Sequence, residues 1–212
     1  FKPIVLFKSP KVSVSLEANE SFNRIIENLN TKDLLTFIRR QKLMDSNKSS
    51  ALSSAYDFYL EKELELGKIV QEIKRDFDAR NVLNANDKSG NMLEKGQYQA
   101  LNTLENPNNL YRIVFAVAKL TEGWDVLNLY DIVRIEKEAG TNKTATMAEA
   151  QLIGRGARYY PFEIQEQKSY QRRFDNEASN KQLILETLHY HTMNEPQYLK
   201  QLVISLKQMD LP

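Results

Sequence analysis

The chain has 212 residues, of which 42% are hydrophobic and 27% are charged, a balance typical of a globular domain. Its 29 basic residues stand against 28 acidic ones, so the formal net charge is only +1 and nucleic acid would have to be contacted through a local basic patch. Because the sequence has no cysteine, disulfides, thiolate zinc sites and cysteine nucleophiles are excluded. No apolar run reaches the roughly 18 residues of a membrane-spanning helix, so no membrane partner is expected.

The first part of the chain opens with a strand pattern and continues with helical ones. Residues 1–9, with an apolar run at 4–7, predict a short buried strand. Apolar residues then recur at helical spacing over 22–29 and again over 34–38. The longest regular pattern covers 52–77 and predicts one amphipathic helix, whereas 82–85 predicts a short strand. Since a strand follows at once after the first residue, without a signal segment, we expect the chain to be a piece of a longer protein.

The second part of the chain supplies the strongest strand signals. An unbroken apolar run over 113–118, rich in β-branched residues, predicts a strand buried on both faces, and 131–135 predicts another strand. Helical patterns cover 92–104, 181–191 and 199–209, and a helix is also predicted around 170–174. The alternation of strands and helices predicts an α/β fold with a parallel sheet flanked by helices.

Two arginines three residues apart are the sharpest chemical signal in the sequence. Arg155 and Arg158 follow Gly154 on a predicted helix, where two guanidinium groups on one face can converge on a polyanion. Gln151 lies one turn earlier on the same side. Glycines at 154 and 156 each cost a helix about 1 kcal/mol relative to alanine, which suggests that a nucleotide or a facing backbone approaches closely there. In isolation, a surface helix with ordinary salt bridges is the better explanation of Gly-Arg-x-x-Arg.

Two turns after predicted strands are further candidates for ligand contacts. In the turn at 121–126, Asp125 is able to accept a hydrogen bond from a ribose hydroxyl or from one of the arginines, whereas Trp124 by itself is best explained as a core residue. The tip after the first strand carries Lys8 and Ser9, whose ammonium and hydroxyl groups suit a phosphate. A plain polar loop explains this tip about as well.

These segments together resemble the second RecA-like domain of superfamily 2 helicases and translocases. Thr-Glu-Gly-Trp-Asp-Val at 121–126 resembles helicase motif V, and Gln-Leu-Ile-Gly-Arg-Gly-Ala-Arg at 151–158 resembles motif VI. Pro-Ile-Val-Leu-Phe-Lys-Ser at 3–9 resembles motif IV. Two longer stretches around these motifs are similar to the restriction subunit of type III restriction-modification enzymes. They read Ala-Val-x-x-Leu-x-Glu-Gly-Trp-Asp-Val and Glu-Ala-Gln-Leu-Ile-Gly-Arg-Gly-Ala-Arg-Tyr-Tyr-Pro-Phe.

The resemblance implies a role for each matching position. Arg155 and Arg158 would reach ATP with Mg²⁺ bound mainly by a first RecA-like domain of the same protein, and one of them would act as an arginine finger. Gln151 would help to place the nucleotide or couple it to motif V. Gly123, Asp125 and Gly154 would also belong to the nucleotide site. The residues expected to join the nucleotide cleft to the DNA track are Glu122, Gly123 and Asp125. Lys8 and Ser9 would contact the DNA backbone.

The resemblance also implies an organisation and a setting for the chain. Residues 1–162 would form the RecA-like domain, with a helical elaboration within about 31–105, and residues 163–212 would be a helical extension. The expected partners are double-stranded DNA and a modification methyltransferase subunit, in the bacterial cytoplasm. No Gly-x-x-x-x-Gly-Lys-Ser/Thr loop, Asp-Glu pair or nuclease signature is present in the sequence, so we expect no ATP hydrolysis by this chain alone.

Other functions stay open on the sequence alone. The motifs do not specify DNA, so another superfamily 2 helicase that acts on DNA or RNA is an alternative. A non-enzymatic RecA-like scaffold is a second one. The His189-Tyr-His191 segment has no third ligand beside it, and we expect no metal there.

Overall fold

The structure is a computed structural model in which the chain divides into a sheet unit and a helical unit. The described residues are 2–46, 50–86, 95–117, 124, 126–135, 143–156, 163–164, 167–168, 172–177, 179–193 and 196–209. The sheet unit comprises Phe1–Glu20, Arg80–Tyr160 and Leu188–Pro212. The helical unit comprises Ser21–Ala79 and Pro161–Thr187.

Five parallel strands make up the main sheet, which confirms the predicted α/β fold. They are β1 (Ile4–Ser9), β2 (Val82–Ala85), β3 (Ile113–Val117), β4 (Leu129–Arg134) and β7 (His189–His191). Their order across the sheet is β2-β3-β1-β4-β7, and every pairing is parallel. Two short strands, β5 (Glu163–Ile164) and β6 (Gln167–Lys168), pair with each other in an antiparallel ladder.

Seven α-helices are present in the described part of the chain. They are α1 (Val12–Asn28), α2 (Thr31–Met44), α3 (Ala51–Glu61), α4 (Leu66–Asp76), α5 (Lys95–Leu101), α6 (Lys143–Gly156) and α7 (Pro196–Gln208). Short 3-10 helices cover Glu63–Glu65, Ala79–Asn81 and Lys181–Glu186. Within this part of the chain, no helix combines the length and the apolar composition that a membrane crossing requires.

The sheet unit forms because β3 is apolar on both faces. All five of its residues are buried, so a helix or strand must cover it on each side, as in parallel sheets generally. Phe115 stacks on Phe7 of β1 with the ring centroids 4.6 Å apart. On the sheet, Ile4, Leu6, Leu83 and Val114 pack with Trp124 and Leu152 in one continuous core. The interior position of β3, between β2 and β1, therefore follows from its composition.

The helical unit is held by helix-to-helix contacts and by ion pairs at its surface. Here α2 packs against both α3 and α4, and α3 also contacts the 3-10 helix Lys181–Glu186. Asn30 caps α2 by accepting a hydrogen bond from the Asp33 amide, and Ser50 caps α3 in the same way. The carboxylate of Glu186 accepts hydrogen bonds from the amides of Arg173 and Phe174, which fixes an otherwise irregular segment.

Three sequence predictions about helices were wrong. The pattern over 52–77 is two helices, α3 and α4, interrupted by the 3-10 turn Glu63–Glu65. The pattern over 181–191 is a 3-10 helix followed by β7, because the segment pairs with the edge of β4 instead of continuing its turns. The described residues 172–177 form bends and turns where a helix was predicted.

Gly156 ends α6 at a place where a side chain has no room. A Cβ atom there would lie 3.1 Å from Leu129 Cδ2 and 3.2 Å from both methyl carbons of Leu188. Leu129 is itself buried in the core, so it has little space to move away. The glycine therefore serves the packing of α6 on the sheet.

We predict that Gly156→Ala lowers the free energy of unfolding by about 1–3 kcal/mol, because the added methyl group overpacks this contact. Urea denaturation of both proteins measures the difference. Gly96→Ala is the matched control, since a Cβ at Gly96 meets no atom of the described residues within 4 Å and alanine is the better helix former. Equal stability of Gly156→Ala and the parent chain would show that the side chains of Leu129 and Leu188 can move aside at no energetic cost.

Candidate functional site

The carboxyl edge of the sheet has a topological switch point between β1 and β4. From β1 the chain runs to β2 on one side of the sheet, and from β4 it runs to β7 on the other side. Open α/β sheets bind their ligands at such a point, beyond the carboxyl ends of the strands. β1 ends with Lys8 and Ser9, β4 ends with Arg134, and α6 is the next described helix after β4.

Helix α6 has a buried face and a face that carries the predicted nucleotide contacts. Thr146, Glu149, Ala150 and Leu152 are buried, whereas Gln151 is exposed. Gly154 and Arg155 are partly exposed near the end of the helix. Gln151 and Arg155 are four residues apart, so their side chains lie on the same side of α6, one turn from each other.

Arg155 contacts the turn that resembles motif V. Its Nη1 atom donates a hydrogen bond to the backbone oxygen of Trp124 at 3.0 Å. Trp124 itself is buried, as the sequence predicts, and its Nε1 atom donates to the backbone oxygen of Leu101 at 3.0 Å. The end of α6 is therefore joined directly to Trp124, and both belong to the sheet unit.

Lys8 and Ser9 occupy the tip of β1, where the sequence places a phosphate contact. The ammonium group of Lys8 forms an ion pair with Oε2 of Glu149, and the side chain of Lys8 is 16% exposed. The hydroxyl group of Ser9 is buried, and no hydrogen-bond partner for it is found among the residues that the structure describes. Lys11 lies at the same tip and is exposed. Lys11 thus presents a solvent-facing cation at this tip, whereas Lys8 is engaged with α6.

Four residues of this region, Glu149, Tyr190, Tyr198 and Arg134, were not identified from the sequence. Tyr190 donates a hydrogen bond to Oε1 of Glu149 at 3.1 Å, and its oxygen lies 3.2 Å from that of Tyr198. The guanidinium carbon of Arg134 lies 3.9 Å from the centre of the Tyr198 ring. Burial and the nearby carboxylate of Glu149 raise the pKa of Tyr190, so its hydroxyl keeps its proton. Only the position of Glu149 gave a signal, because it begins the stretch 149–162 that flanks motif VI.

The two histidines of β7 have structural contacts. His191 Nε2 lies 2.7 Å from Oδ1 of Asp131, and the His189 ring packs against Tyr130 with the centroids 5.3 Å apart. Burial lowers the pKa of His189. Among the residues that the structure describes, no group of three or more histidine, aspartate or glutamate side chains is placed to hold a metal.

Four predicted site residues lie outside the described residues. They are Glu122, Gly123, Asp125 and Arg158. Their assigned roles in nucleotide binding and coupling stay predictions.

Comparison with known proteins relates the chain to a restriction enzyme. Over 158 residues it is 32% identical to a probable type III restriction-modification enzyme, the HindVIP Res subunit of Haemophilus influenzae strain Rd, and the match covers 68% of this chain and 30% of that protein. An uncharacterized protein of the same strain is 42% identical over 65 residues, which are 30% of this chain and 14% of that protein.

A family model called HI_1054_N, described as an N-terminal region, matches residues 145–212. No solved structure matches the chain significantly. The chain is therefore related to part of a type III Res subunit, and it spans less than a third of that relative's length.

Proposed function

We propose that this chain is the second RecA-like motor domain of an ATP-dependent DNA translocase, within the restriction subunit of a type III restriction-modification system. The observation that supports it most is the place of Arg155, at the end of α6 and hydrogen-bonded to the backbone oxygen of Trp124. The parallel sheet and the similarity to the Res subunit support the same function.

The residues on the outer side of α6 have side chains that can bind a nucleoside triphosphate. Arg155 presents a planar cation, and Gln151 presents an amide that both donates and accepts hydrogen bonds. Bound ATP with Mg²⁺ would supply a transferable phosphoryl group, held mainly by a first RecA-like domain of the same protein. Arg155, together with Arg158, would stabilise the charge that develops on that group. Gly154 keeps the surface beside Arg155 free of a side chain.

The tip of β1 is the proposed contact with the DNA backbone. Lys11 is exposed there, and Lys8 and Ser9 stand beside it. A net charge of only +1 means that the contact with phosphates would be local. We propose Glu122, Gly123 and Asp125 as the link between this contact and the nucleotide. We further propose that the complete protein acts with a modification methyltransferase subunit and that it does so in the bacterial cytoplasm.

The experiment that tests this function measures ATP hydrolysis by the complete protein without nucleic acid, with duplex DNA and with RNA. We expect hydrolysis that duplex DNA stimulates and RNA does not. Equal stimulation by RNA would favour another superfamily 2 helicase. Complete absence of hydrolysis under all three conditions would favour a RecA-like scaffold without enzymatic activity.

A further inference from the structure

A buried charged cluster connects α6 to three other elements of the sheet unit. Its central group is the carboxylate of Glu149, whose side chain is only 4% exposed. One oxygen is paired with Lys8 at the tip of β1, and the other accepts the hydrogen bond from Tyr190 of β7. Tyr190 in turn contacts Tyr198 of α7 through the two hydroxyl groups.

Burying such a cluster is not explained by stability alone. A buried ion pair loses much of its solvation, and well-packed apolar residues of similar size are often as stable. What the charges provide is a defined geometry, because a carboxylate with both oxygens occupied fixes the position of the helix that carries it. Lys8 and Arg134 are paired in the register of β1 and β4, so their side chains leave the same face of the sheet, under α6 and α7.

The same helix carries the proposed nucleotide contacts. Gln151 and Arg155 follow Glu149 by two and six residues, so the rotation and height of α6 at Glu149 determine where both side chains lie. A second polar contact supports the arrangement on the buried side, where Ser205 of α7 donates to Thr146 Oγ1 at 3.0 Å.

We propose that Glu149 is a positioning residue, which holds Arg155 and Gln151 in place through its contacts with Lys8 and Tyr190. This inference rests on the proposed function, because the group to be positioned is the nucleotide contact of α6. It also gives Lys8 a second assignment: besides its place at the proposed DNA contact, it connects the tip of β1 with the helix that bears the arginines.

The test uses Glu149→Gln in the complete protein, with ATP turnover as the functional measurement. Glutamine keeps the size of the side chain and an acceptor for Tyr190 but removes the charge that binds Lys8. Because displacement of a catalytic group by about 1 Å can lower turnover roughly 100-fold, we expect kcat to fall by about 10- to 100-fold. The KM for ATP should change little, since most ATP contacts would come from the other domain. Tyr190→Phe, which removes one neutral hydrogen bond, should lower kcat by about three- to tenfold.

Hydrogen–deuterium exchange of the α6 amides is the second measurement, and it does not depend on ATP hydrolysis. In Glu149→Gln we expect faster exchange in α6 and unchanged exchange in α2 and α3. Asp57→Asn is the matched control, since it removes an ion pair with Lys42 (2.7 Å) from the helical unit and should leave turnover and α6 exchange unchanged.

The outcomes separate this inference from the proposed function. A wild-type protein without ATP hydrolysis would contradict the proposed function, and unchanged exchange in α6 of Glu149→Gln would by itself contradict the positioning role. Faster exchange with wild-type kcat would mean that Glu149 serves stability only. A rise in KM with unchanged kcat would overturn the proposal as well, because it would indicate a direct contribution to ATP binding.

Discussion

Replacing Arg155 with alanine in the complete protein is expected to lower the kcat of ATP hydrolysis by about 10³-fold or more, the effect typical of an arginine that stabilises a transferred phosphoryl group. The contact with Trp124 does not account for such a loss, because one hydrogen bond to a backbone oxygen is worth only about 1 kcal/mol net. Steady-state ATP hydrolysis, with a urea titration of the same variant, separates the effect on turnover from the effect on stability.

Two further variants make this experiment specific. Arg155→Lys keeps a positive charge but lacks the planar, forked guanidinium, so it should recover little of the lost turnover. Arg39→Ala is the control, because Arg39 is an exposed arginine that pairs with Glu63 in the helical unit at 3.1 Å. Its turnover should equal that of the wild type. If Arg155→Ala kept turnover within about twofold of the wild type, Arg155 would not act on the phosphoryl group.

The strands of the sheet could be predicted because their signals are local. Each strand has an apolar run that by itself indicates burial, long in β3 and shorter in β1, β2 and β4. All four strands lie within a few residues of their predicted positions. β7 could not be found in this way. Its three residues include two histidines, and it is a strand only because the edge of β4, some 60 residues earlier, offers hydrogen-bonding groups.

The break between α3 and α4 has a different cause. Helical periodicity counted Leu64 as part of an apolar face, whereas in the structure Leu64 is fully exposed within the 3-10 turn Glu63–Glu65. A periodic pattern records which residues are apolar and not which of them are covered. Apolar periodicity therefore cannot predict a single 3-10 turn between two α-helices.

The candidate site shows the same division between local and distant information. The arginine motif and the buried Trp124 were recognisable from neighbouring residues. The engagement of Lys8 by Glu149 was not, since 141 residues separate the pair and nothing near Lys8 indicates a buried carboxylate. The contact between Arg155 and the Trp124 oxygen likewise depends on the fold, which brings the end of α6 beside Trp124.

Trp124→Ala should have the largest effect on stability, a loss of about 3–5 kcal/mol in the free energy of unfolding, as for other buried aromatic residues cut back to alanine. Trp124 is 4% exposed and packs in the core with Leu101 and Leu104, and its indole N–H is bonded to the Leu101 oxygen. Alanine would leave a cavity and remove that bond. Since a domain is stable by only about 5–15 kcal/mol, the loss is a large share of the total. Urea denaturation followed by circular dichroism measures it.

Comparing Trp124→Phe with Trp124→Ala separates packing from hydrogen bonding. Phenylalanine keeps most of the apolar contact but has no N–H group, so the loss of stability should fall between those of the alanine variant and the wild type. Leu64→Ala is the control for loss of a large apolar side chain without a cavity, and it should stay within about 0.5 kcal/mol of the wild type. Because every one of these variants retains the backbone oxygen of residue 124, the acceptor for Arg155 persists. A Trp124→Ala protein as stable as Leu64→Ala would contradict the core position of Trp124, and with it the anchoring of the backbone oxygen that Arg155 contacts.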